Sequence, residues 1–186
     1  MACHGGFSLD EKVRRTWYNP EEILAKAGLK KGMVFADIGS GDGFFSLLAA
    51  GVVGTKGKIY AVDSDHRAIS RLKMKAAELR LSNIHVVEGE AESTVLCRDC
   101  VDVVFFSMVL HDFYNPAKVL LNAKVMLKAT SMLVDLDWKK MEMPFGPPVR
   151  IRFSEEKTQE MLRQVGFHVA KVEDTGPYHY VVTAKP

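Results

Sequence analysis

A glycine-rich turn carries the first chemistry that the residue types and their spacing indicate. An apolar run ends at Asp37, and Gly39, Gly41 and Gly43 follow before a helical pattern begins. Glycines in such a strand-to-helix turn let the backbone approach a ligand, and the first N–H groups of the helix point towards it. About 20 residues later a second strand ends in Asp63, where a carboxylate binds the hydroxyls of an adenosine ribose. The spacing predicts a site for an adenosine-containing cofactor.

The charges of this turn separate two cofactor classes. A dinucleotide turn has a third glycine where this chain has Phe44, and the pyrophosphate of NAD would lie beside Asp37 and Asp42. Each close pair of like charges is unfavourable by roughly 1–4 kcal/mol, depending on the local dielectric. S-adenosylmethionine instead carries a sulfonium and an ammonium against one carboxylate. The pattern therefore favours S-adenosylmethionine, and an NAD-dependent oxidoreductase is the less favoured alternative.

The elements that position the turn alternate between short apolar runs and longer amphipathic runs, which predicts α/β layering. Strands are expected at 33–38, 58–63, 84–88, 102–107 and 132–136, with a closing pair at 169–172 and 178–183. Helices are expected at 8–28 with one interruption, and at 44–52, 64–80, 116–127 and 154–166. The short Gly176-Pro177 connection predicts a closing hairpin, so one strand would be antiparallel in a mainly parallel sheet.

Length and composition limit the class of protein. The 186 residues, 47% of them hydrophobic and 26% charged, predict a single domain over 1–186, with 1–30 as a helical lid segment. The longest uncharged apolar stretch, 44–54, is about half as long as a membrane helix, so no membrane span is expected. A net charge of +2 indicates neither a nucleic acid nor a membrane partner. Three cysteines do not make a disulfide scaffold, and their odd number predicts a cytoplasmic location.

With these motifs the sequence resembles the class I S-adenosylmethionine-dependent methyltransferases, and more narrowly the small ubiquinone/menaquinone-biosynthesis-like group (methyltransferase domain type 11/25). Residues 37–43 match the family's D-x-G-x-G-x-G, and 60–63 match its ribose-binding strand end. Residues 88–91 stand where the family has its adenine-binding acid, and 107–111 match the segment at the methionine end of the cofactor. The resemblance covers 17–185. It implies a Rossmann-like sheet of seven strands in the order 3-2-1-4-5-7-6, with the last strand antiparallel and helices on both faces.

The resemblance also implies a cofactor site at the ends of the first four strands. Asp63 is expected to bind the ribose and Glu90 the adenine amino group. One departure is the Lys-Ala-Thr-Ser sequence at 128–131, where the family has a Pro-Gly-Gly-like turn. The expected cofactor-binding residues are Asp37, Gly39, Ser40, Gly41, Asp42, Gly43, Asp63, Ser64, Glu90, Ala91, Ser107 and Met108.

Two residues are candidates for a general base. Methyl transfer from a sulfonium is an in-line displacement that depends mainly on orientation, but a phenol or an acidic carbon would also need a base. His111 follows the fourth strand at the carboxyl edge of the sheet, with a loop-packing histidine as the alternative. Tyr178 begins the last strand, and strict alternation would place it with Tyr180 on one face and His179 on the other. That strand is interpreted either as part of a substrate pocket or as core.

Several other features have two interpretations each. Trp17 and Tyr18 would either form a lid over the cofactor or anchor the first helix. Arg150 and Arg152 would either meet an acidic group of the substrate or merely precede a helix. A stripe of basic residues on the predicted helix 64–80 is interpreted as a solvated face. Its members are Arg67, Arg71 and Lys75.

A single C-x-x-C pair, Cys97 and Cys100, precedes the fourth strand. Zinc needs two further ligands, which Cys3 and His4 would supply only if the N-terminus folded back, so no metal is expected. A redox pair is also not expected, because the motif does not open a helix. The thiols leave arsenite methylation as a minor possibility.

Together these features predict an S-adenosylmethionine-dependent methyltransferase that acts on a small-molecule acceptor and releases S-adenosylhomocysteine. The chain has little sequence beyond the sheet itself to frame a substrate, which makes a homodimer plausible. A nucleic acid is not an expected partner. Two alternatives remain at this stage, an RNA or protein methyltransferase and a cofactor-binding module without turnover.

Overall fold

A mixed sheet of seven strands forms the centre of the molecule in the computed structural model, which describes residues 11–186. Its order is β3-β2-β1-β4-β5-β7-β6. Neighbours among β1 to β5 are parallel, whereas β7 is antiparallel to both β5 and β6. The predicted strand order, the antiparallel last strand and the fold class are confirmed. The strands are β1 (Val34–Ile38), β2 (Lys58–Asp63), β3 (Ile84–Glu88), β4 (Val101–Ser107), β5 (Leu127–Trp138), β6 (His168–Thr175) and β7 (His179–Lys185).

Six α-helices flank the sheet in the described part of the chain, and three of them begin after a residue whose side chain caps the first turn. The side chains of Asn19, Asn115 and Ser154 accept hydrogen bonds from the N–H three residues on, at 3.2, 3.0 and 3.2 Å. Each cap satisfies a backbone donor that the first helical turn leaves without a partner. The helices are α1 (Glu11–Trp17), α2 (Pro20–Lys26), α3 (Phe44–Val53), α4 (His66–Glu78), α5 (Pro116–Met126) and α6 (Glu155–Gln164).

The hydrophobic core lies in two layers, one on each face of the sheet. Alternate residues of β4 enter opposite layers: Phe105 packs with Phe35 and Phe45 on the α3 side, and Phe106 packs on the α5 side. Full burial of one such side chain contributes roughly 1.5–3 kcal/mol. The two layers hold the carboxyl ends of β1 to β5 at one edge, where the predicted site residues lie.

The largest difference from the predicted elements is β5, which was expected at 132–136. It begins at Leu127, directly after α5, because Leu127 pairs with Val101 across an irregularity in the β4 register. It continues through Asp137 and Trp138, which pair with β7. Aspartate is depleted in strands, so local sequence did not predict this extension. No helix among residues 11–186 has both the length and the apolar character to cross a membrane.

Candidate functional site

The glycine turn is tied to the end of β2 by its own backbone. The N–H groups of Gly39 and Ser40 donate to the carbonyl oxygen of Val62 at 2.8 and 2.9 Å. The N–H of Gly41 donates to Asp63 Oδ2 at 2.7 Å, and Oδ1 accepts from the N–H of Asp65 at 2.8 Å. A carboxylate has about four lone-pair sites, so Asp63 retains acceptor capacity for ribose hydroxyls. The residues predicted to hold a nucleoside are thus brought together.

The glycines of the turn serve two different purposes, and the sequence had suggested only one. A Cβ on Gly39 would lie 2.6 Å from Val109 Cγ2, and one on Gly43 would collide with Leu72, so packing requires glycine at both positions. A Cβ on Gly41 would meet no atom within 4 Å. Only Gly41 therefore leaves open space through which a ligand can approach the backbone.

A small cavity of about 50 Å³ lies at the carboxyl ends of β1 and β4. Four buried polar atoms of residues that line it have no hydrogen-bond partner: Asp37 Oδ1, Ser40 Oγ, Ser107 Oγ and Arg14 Nε. A carboxylate and two hydroxyls can satisfy an ammonium and a carboxylate together, so these residues fit the amino-acid end of S-adenosylmethionine. The complete lining is Arg14, Asp37, Gly39, Ser40, Gly41, Phe44, Phe45 and Ser107.

Asp37 is the buried acid of this cavity. Its pKa is raised to about 7, mainly because it is buried. The negative charge of Asp63 also raises the pKa. The Ser46 hydroxyl, which donates to Oδ2 at 2.6 Å, lowers it in part. A bound cation would favour the ionised form. Arg14, from α1, also lines the cavity, and its Nε is buried without a partner. Sequence analysis missed Arg14, because nothing in α1 signals that it lies over the turn.

Asp42, in the same glycine turn, is paired with a lysine and is not an isolated charge. Lys75 of α4 lies 2.7 Å from Asp42 Oδ2. Burial raises the pKa of Asp42, but the Lys75 ammonium outweighs that effect and the pKa falls below its ordinary value. Lys75 is therefore not merely part of a solvated face, and it weakens the repulsion on which the charge argument against NAD relied. The orphaned atoms around Asp37 support the sulfonium cofactor independently.

The remaining predicted cofactor residues follow β2, β3 and β4. Glu90 is exposed and opens a short 3₁₀ turn, Ala91–Ser93. Asn122 of α5 donates to the carbonyl oxygens of Ala91 and Glu92, both at 2.9 Å, which fixes this turn against α5. Contact with adenine stays a prediction for Glu90 and Ala91. The same holds for the cofactor contacts of Ser64 and Met108.

His111 forms a buried pair with a carboxylate. Its Nδ1 lies 2.8 Å from Oδ1 and 2.9 Å from Oδ2 of Asp137, which is fully buried at the end of β5. Burial lowers the pKa of His111, but the hydrogen bond and charge of Asp137, with the charge of Asp112, outweigh it and raise the pKa. A carboxylate on Nδ1 fixes the tautomer and leaves Nε2 to accept a proton. Asp137 was missed because the predicted strand ended before it.

Tyr178 lies in the turn before β7, and the predicted alternation from it is wrong. Its ring meets Phe145 edge-on with centroids 4.8 Å apart, whereas the Tyr180 hydroxyl lies 2.8 Å from Thr158 Oγ1 on the α6 side. The two tyrosines do not share a face, because β7 begins only at His179. His179 is buried against Trp138, with ring centroids 4.2 Å apart. A catalytic role for Tyr178 stays a prediction.

Arg152 organises the loop between β5 and α6. It is 2% exposed and donates to four backbone carbonyl oxygens: Pro147 at 2.7 Å, Lys139 at 3.3 Å, Met141 at 3.0 Å and Phe145 at 3.0 Å. Its guanidinium also lies 5.5 Å from the centroid of the Trp138 ring. Neither sequence interpretation of this residue describes that role. Arg150, on the same loop, is exposed.

Cys97 and Cys100 form a disulfide in the turn that leads into β4, with their Cα atoms 6.1 Å apart. This pairing was not predicted. One bridge across three residues does not make the protein a disulfide scaffold. The pair lies at the start of β4, away from the carboxyl edge of the sheet, and Cys3 and His4 lie outside the described residues.

The class I S-adenosylmethionine-dependent methyltransferases have this strand order, with a glycine turn that faces an acid at the end of the next strand. The unpaired polar atoms around Asp37 suit the amino-acid end of their cofactor. The chain belongs to the methyltransferase domain family, whose model matches residues 29–178. The predicted class and cofactor are confirmed. The crystal structure of an S-adenosylmethionine-dependent methyltransferase from Aquifex aeolicus has a TM-score of 0.86 and 31% identity, over 95% of this chain and 98% of that one.

Curated relatives match shorter parts of the chain. A probable cobalt-precorrin-6B C(15)-methyltransferase (decarboxylating) from Sulfolobus acidocaldarius is 40% identical over 89 residues, 46% of this chain and 45% of the relative. The ubiquinone/menaquinone biosynthesis C-methyltransferase UbiE from Francisella philomiragia is 26% identical over 143 residues, 76% of this chain and 56% of the relative. The chain spans about half the length of the curated relatives it matches.

Proposed function

We propose that this protein transfers the methyl group of S-adenosylmethionine to a small-molecule acceptor whose reacting atom, a carbon or a hydroxyl oxygen, must lose a proton. The observation that carries the proposal is the buried pair of His111 and Asp137 at the carboxyl edge of the sheet. A soft nucleophile such as a thiolate needs no base, so a histidine oriented in this way favours an acceptor that does.

The chain's own residues would hold the cofactor at both ends. Asp37, with the hydroxyls of Ser40 and Ser107, would bind the ammonium and carboxylate, and Arg14 would add a charge for that carboxylate. Asp63 would bind the ribose. When bound, the cofactor supplies a methyl group already activated on a sulfonium. The protein's task is then to orient the acceptor and exclude water, and orientation of this kind can supply roughly 7–11 kcal/mol of the barrier.

His111 would take the acceptor's proton on Nε2. Asp137 holds the imidazole through Nδ1 and stabilises the imidazolium that results, as the carboxylate does in other histidine–carboxylate pairs. Because Asp137 is fully buried, its charge acts on the ring with little screening by water.

A carbon acceptor has additional support from the relatives. Both curated relatives described above are named as carbon methyltransferases, one at C(15) of a cobalt-precorrin and one in ubiquinone and menaquinone biosynthesis. Carbon acids are weak acids, which makes a base valuable. We therefore propose carbon as the first acceptor atom to test and hydroxyl oxygen as the second.

The test is transfer of label from methyl-labelled S-adenosylmethionine to fractions of a small-molecule extract. Label should appear in a product of low molecular mass. His111→Gln should lower kcat by about 10²–10⁴-fold while leaving the affinity for S-adenosylhomocysteine unchanged. The wild-type rate should fall as pH drops through the raised pKa of His111, because the protonated ring accepts no proton.

Asp112→Asn is the matched control, since Asp112 lies beside His111 but at 3.7 Å from Nε2. It should change kcat less than the His111 variant does. Full activity of His111→Gln at every pH would show that the acceptor needs no base. Tight binding of S-adenosylhomocysteine with no transfer to any fraction would instead indicate a binding module.

A further inference from the structure

Four rings surround the indole of Trp17 at the carboxyl end of β5 and the start of β7. Phe145 stacks on it, with centroids 5.0 Å apart and planes 10° from parallel. Trp138 meets it edge-on at 5.4 Å, and Tyr178 and His179 lie at 6.4 and 5.7 Å. We call Trp138, Phe145, Tyr178 and His179 the aromatic enclosure. Trp17 fills it.

The aromatic enclosure adjoins the cofactor cavity. Arg14, one turn before Trp17 on α1, lines that cavity. Tyr18 packs between the two, with its ring 6.2 Å from Phe45 of the cavity and 5.1 Å from His179 of the enclosure. The His111 partner Asp137 immediately precedes Trp138. The charge of Arg152 acts on both His111 and His179, so the candidate base and the enclosure lie near the same guanidinium.

His179 provides the observation that points to a ligand. Its side chain is fully buried, and neither ring nitrogen has a hydrogen-bond partner. Burial, followed by the charges of Arg152, Arg14 and Lys139, lowers its pKa to about 3, so the ring is neutral and offers one donor and one acceptor. A buried polar group without a partner is unfavourable, and a ligand that supplies a hydrogen bond removes that cost.

Trp17 belongs to α1, which surface contacts attach to the rest of the molecule: the ion pair of Arg15 with Glu21, and the Arg14 and Arg15 guanidiniums over the Phe44 ring. Arg152 binds the Phe145 carbonyl oxygen, and Trp138 and His179 belong to paired strands. By contrast, α1 has seven residues and none of them is buried. Its last residue lies on the β6–β7 turn, where a Cβ on Gly176 would collide with the Trp17 carbonyl oxygen. A short helix with so little burial can move at low cost.

We propose that the aromatic enclosure is the acceptor site, and that a flat, conjugated acceptor bearing a carboxylate replaces the Trp17 indole there and hydrogen-bonds His179. This assignment rests on the proposed methyl transfer. A conjugated ring is needed to reproduce the stacking of the indole on Phe145. The buried guanidinium of Arg152, which lies 5.5 Å from the centroid of the Trp138 ring, places a positive charge beside the enclosure and favours an anionic substituent.

The experiment compares two probes of equal charge and carbon skeleton, 2-naphthoate and decahydronaphthalene-2-carboxylate. Each is titrated calorimetrically into the full chain saturated with S-adenosylhomocysteine. We expect 2-naphthoate to bind at least tenfold more tightly. In Trp138→Phe, Trp17 is the one remaining tryptophan of the chain's two, so its emission should shift to longer wavelength as 2-naphthoate displaces it into water.

Two variants test the residues directly. Trp17→Ala should bind 2-naphthoate about threefold to tenfold more tightly, because the resident ring is gone. His179→Phe, which keeps a ring but removes both nitrogens, should bind it about tenfold more weakly. Tyr114→Phe is the control, since Tyr114 is fully exposed, and it should change nothing.

Equal affinity for the two probes, or weaker 2-naphthoate binding in Trp17→Ala, would overturn the assignment and leave Trp17 as an anchor of α1. S-adenosylhomocysteine is titrated separately into every variant, and 2-naphthoate also into the free chain. A chain that binds 2-naphthoate but no S-adenosylhomocysteine would contradict the proposed function while leaving the aromatic enclosure a ring-binding site.

Discussion

The sheet edge at the carboxyl ends of β1 to β5 has two halves, which are held by different kinds of contact. The cofactor half, at the ends of β1 to β4, is held by hydrogen bonds that backbone N–H groups donate, such as those from Gly39 to the Val62 carbonyl oxygen and from Gly41 to the Asp63 carboxylate. The acceptor half, at the ends of β5 and β7, is made of side chains, with Arg152 holding the loop and rings filling the space. The first half depends on local chain geometry, and the second on residues far apart in sequence.

This difference implies that the halves can change independently. A turn held by main-chain groups keeps its shape when surrounding side chains vary. A pocket of packed rings changes shape with every substitution. In such a chain the acceptor can change without loss of the cofactor, and each half can be perturbed separately to test that separation.

The largest expected effect is from Arg152→Met, which removes the centre of the acceptor half. Four carbonyl oxygens lose their donor, and Trp138 loses the guanidinium over its ring. The free energy of unfolding should fall by about 3 kcal/mol, measured by urea denaturation. Limited proteolysis should cut the loop 139–152 faster.

Arg150→Met is the control, because Arg150 is an exposed arginine of the same loop. Its free energy of unfolding should stay within about 0.5 kcal/mol of the wild type. If the two halves are independent, the folded Arg152→Met variant should bind S-adenosylhomocysteine with unchanged affinity. A large loss of that affinity would show that the halves are one unit.

The second-largest expected effect is a loss of cofactor affinity in the cofactor half. Asp63→Ala removes the acceptor for the Gly41 N–H as well as the predicted partner of the ribose hydroxyls. Affinity for S-adenosylhomocysteine, measured by calorimetry, should fall by about tenfold or more, which corresponds to at least ~1.4 kcal/mol. Glu88→Gln is the control at the end of the adjacent strand, where Glu88 pairs with His66 at the surface. Unchanged affinity in Asp63→Ala would refute the ribose role.

The same contrast explains what the sequence could predict. The first strand, the glycine turn and Asp63 were predicted because each depends on a local pattern: a buried run, a turn and the residue that ends the next strand. The strand order was predicted from the family resemblance. The helix starts at 116 and 154 were predicted from local patterns too, since a first-position proline and a capping serine act within one turn.

The acceptor half could not be predicted in this way. Arg152 satisfies carbonyls up to 13 positions away, and its burial is a property of the folded loop. Asp137 joins His111 only because β5 and the segment after β4 lie side by side. The alternation from Tyr178 failed because a turn residue follows no strand period. Long-range placement of this kind leaves no periodic signal in the chain.

The smallest expected effect tests the boundary between the halves, where Asp37 of the cofactor half faces Arg14 of α1. The pKa of Asp37 is raised to about 7, so the folded protein binds a proton there that the unfolded chain releases near pH 3.8. Between these values the free energy of unfolding should fall as pH rises. A ligand ammonium favours the ionised carboxylate, so affinity for S-adenosylhomocysteine should rise about threefold from pH 6.5 to 7.5. Calorimetry in two buffers should detect release of about half a proton at pH 7.

Asp37→Asn should remove this pH dependence, because the amide does not titrate. His111→Gln should retain it, which separates Asp37 from His111, whose pKa is also raised. Arg14→Met should steepen the dependence, since the charge of Arg14 lowers the pKa of Asp37. A pH dependence that survives in Asp37→Asn but vanishes in His111→Gln would place the titrating group in the acceptor half, and the two halves would then be coupled through their charges.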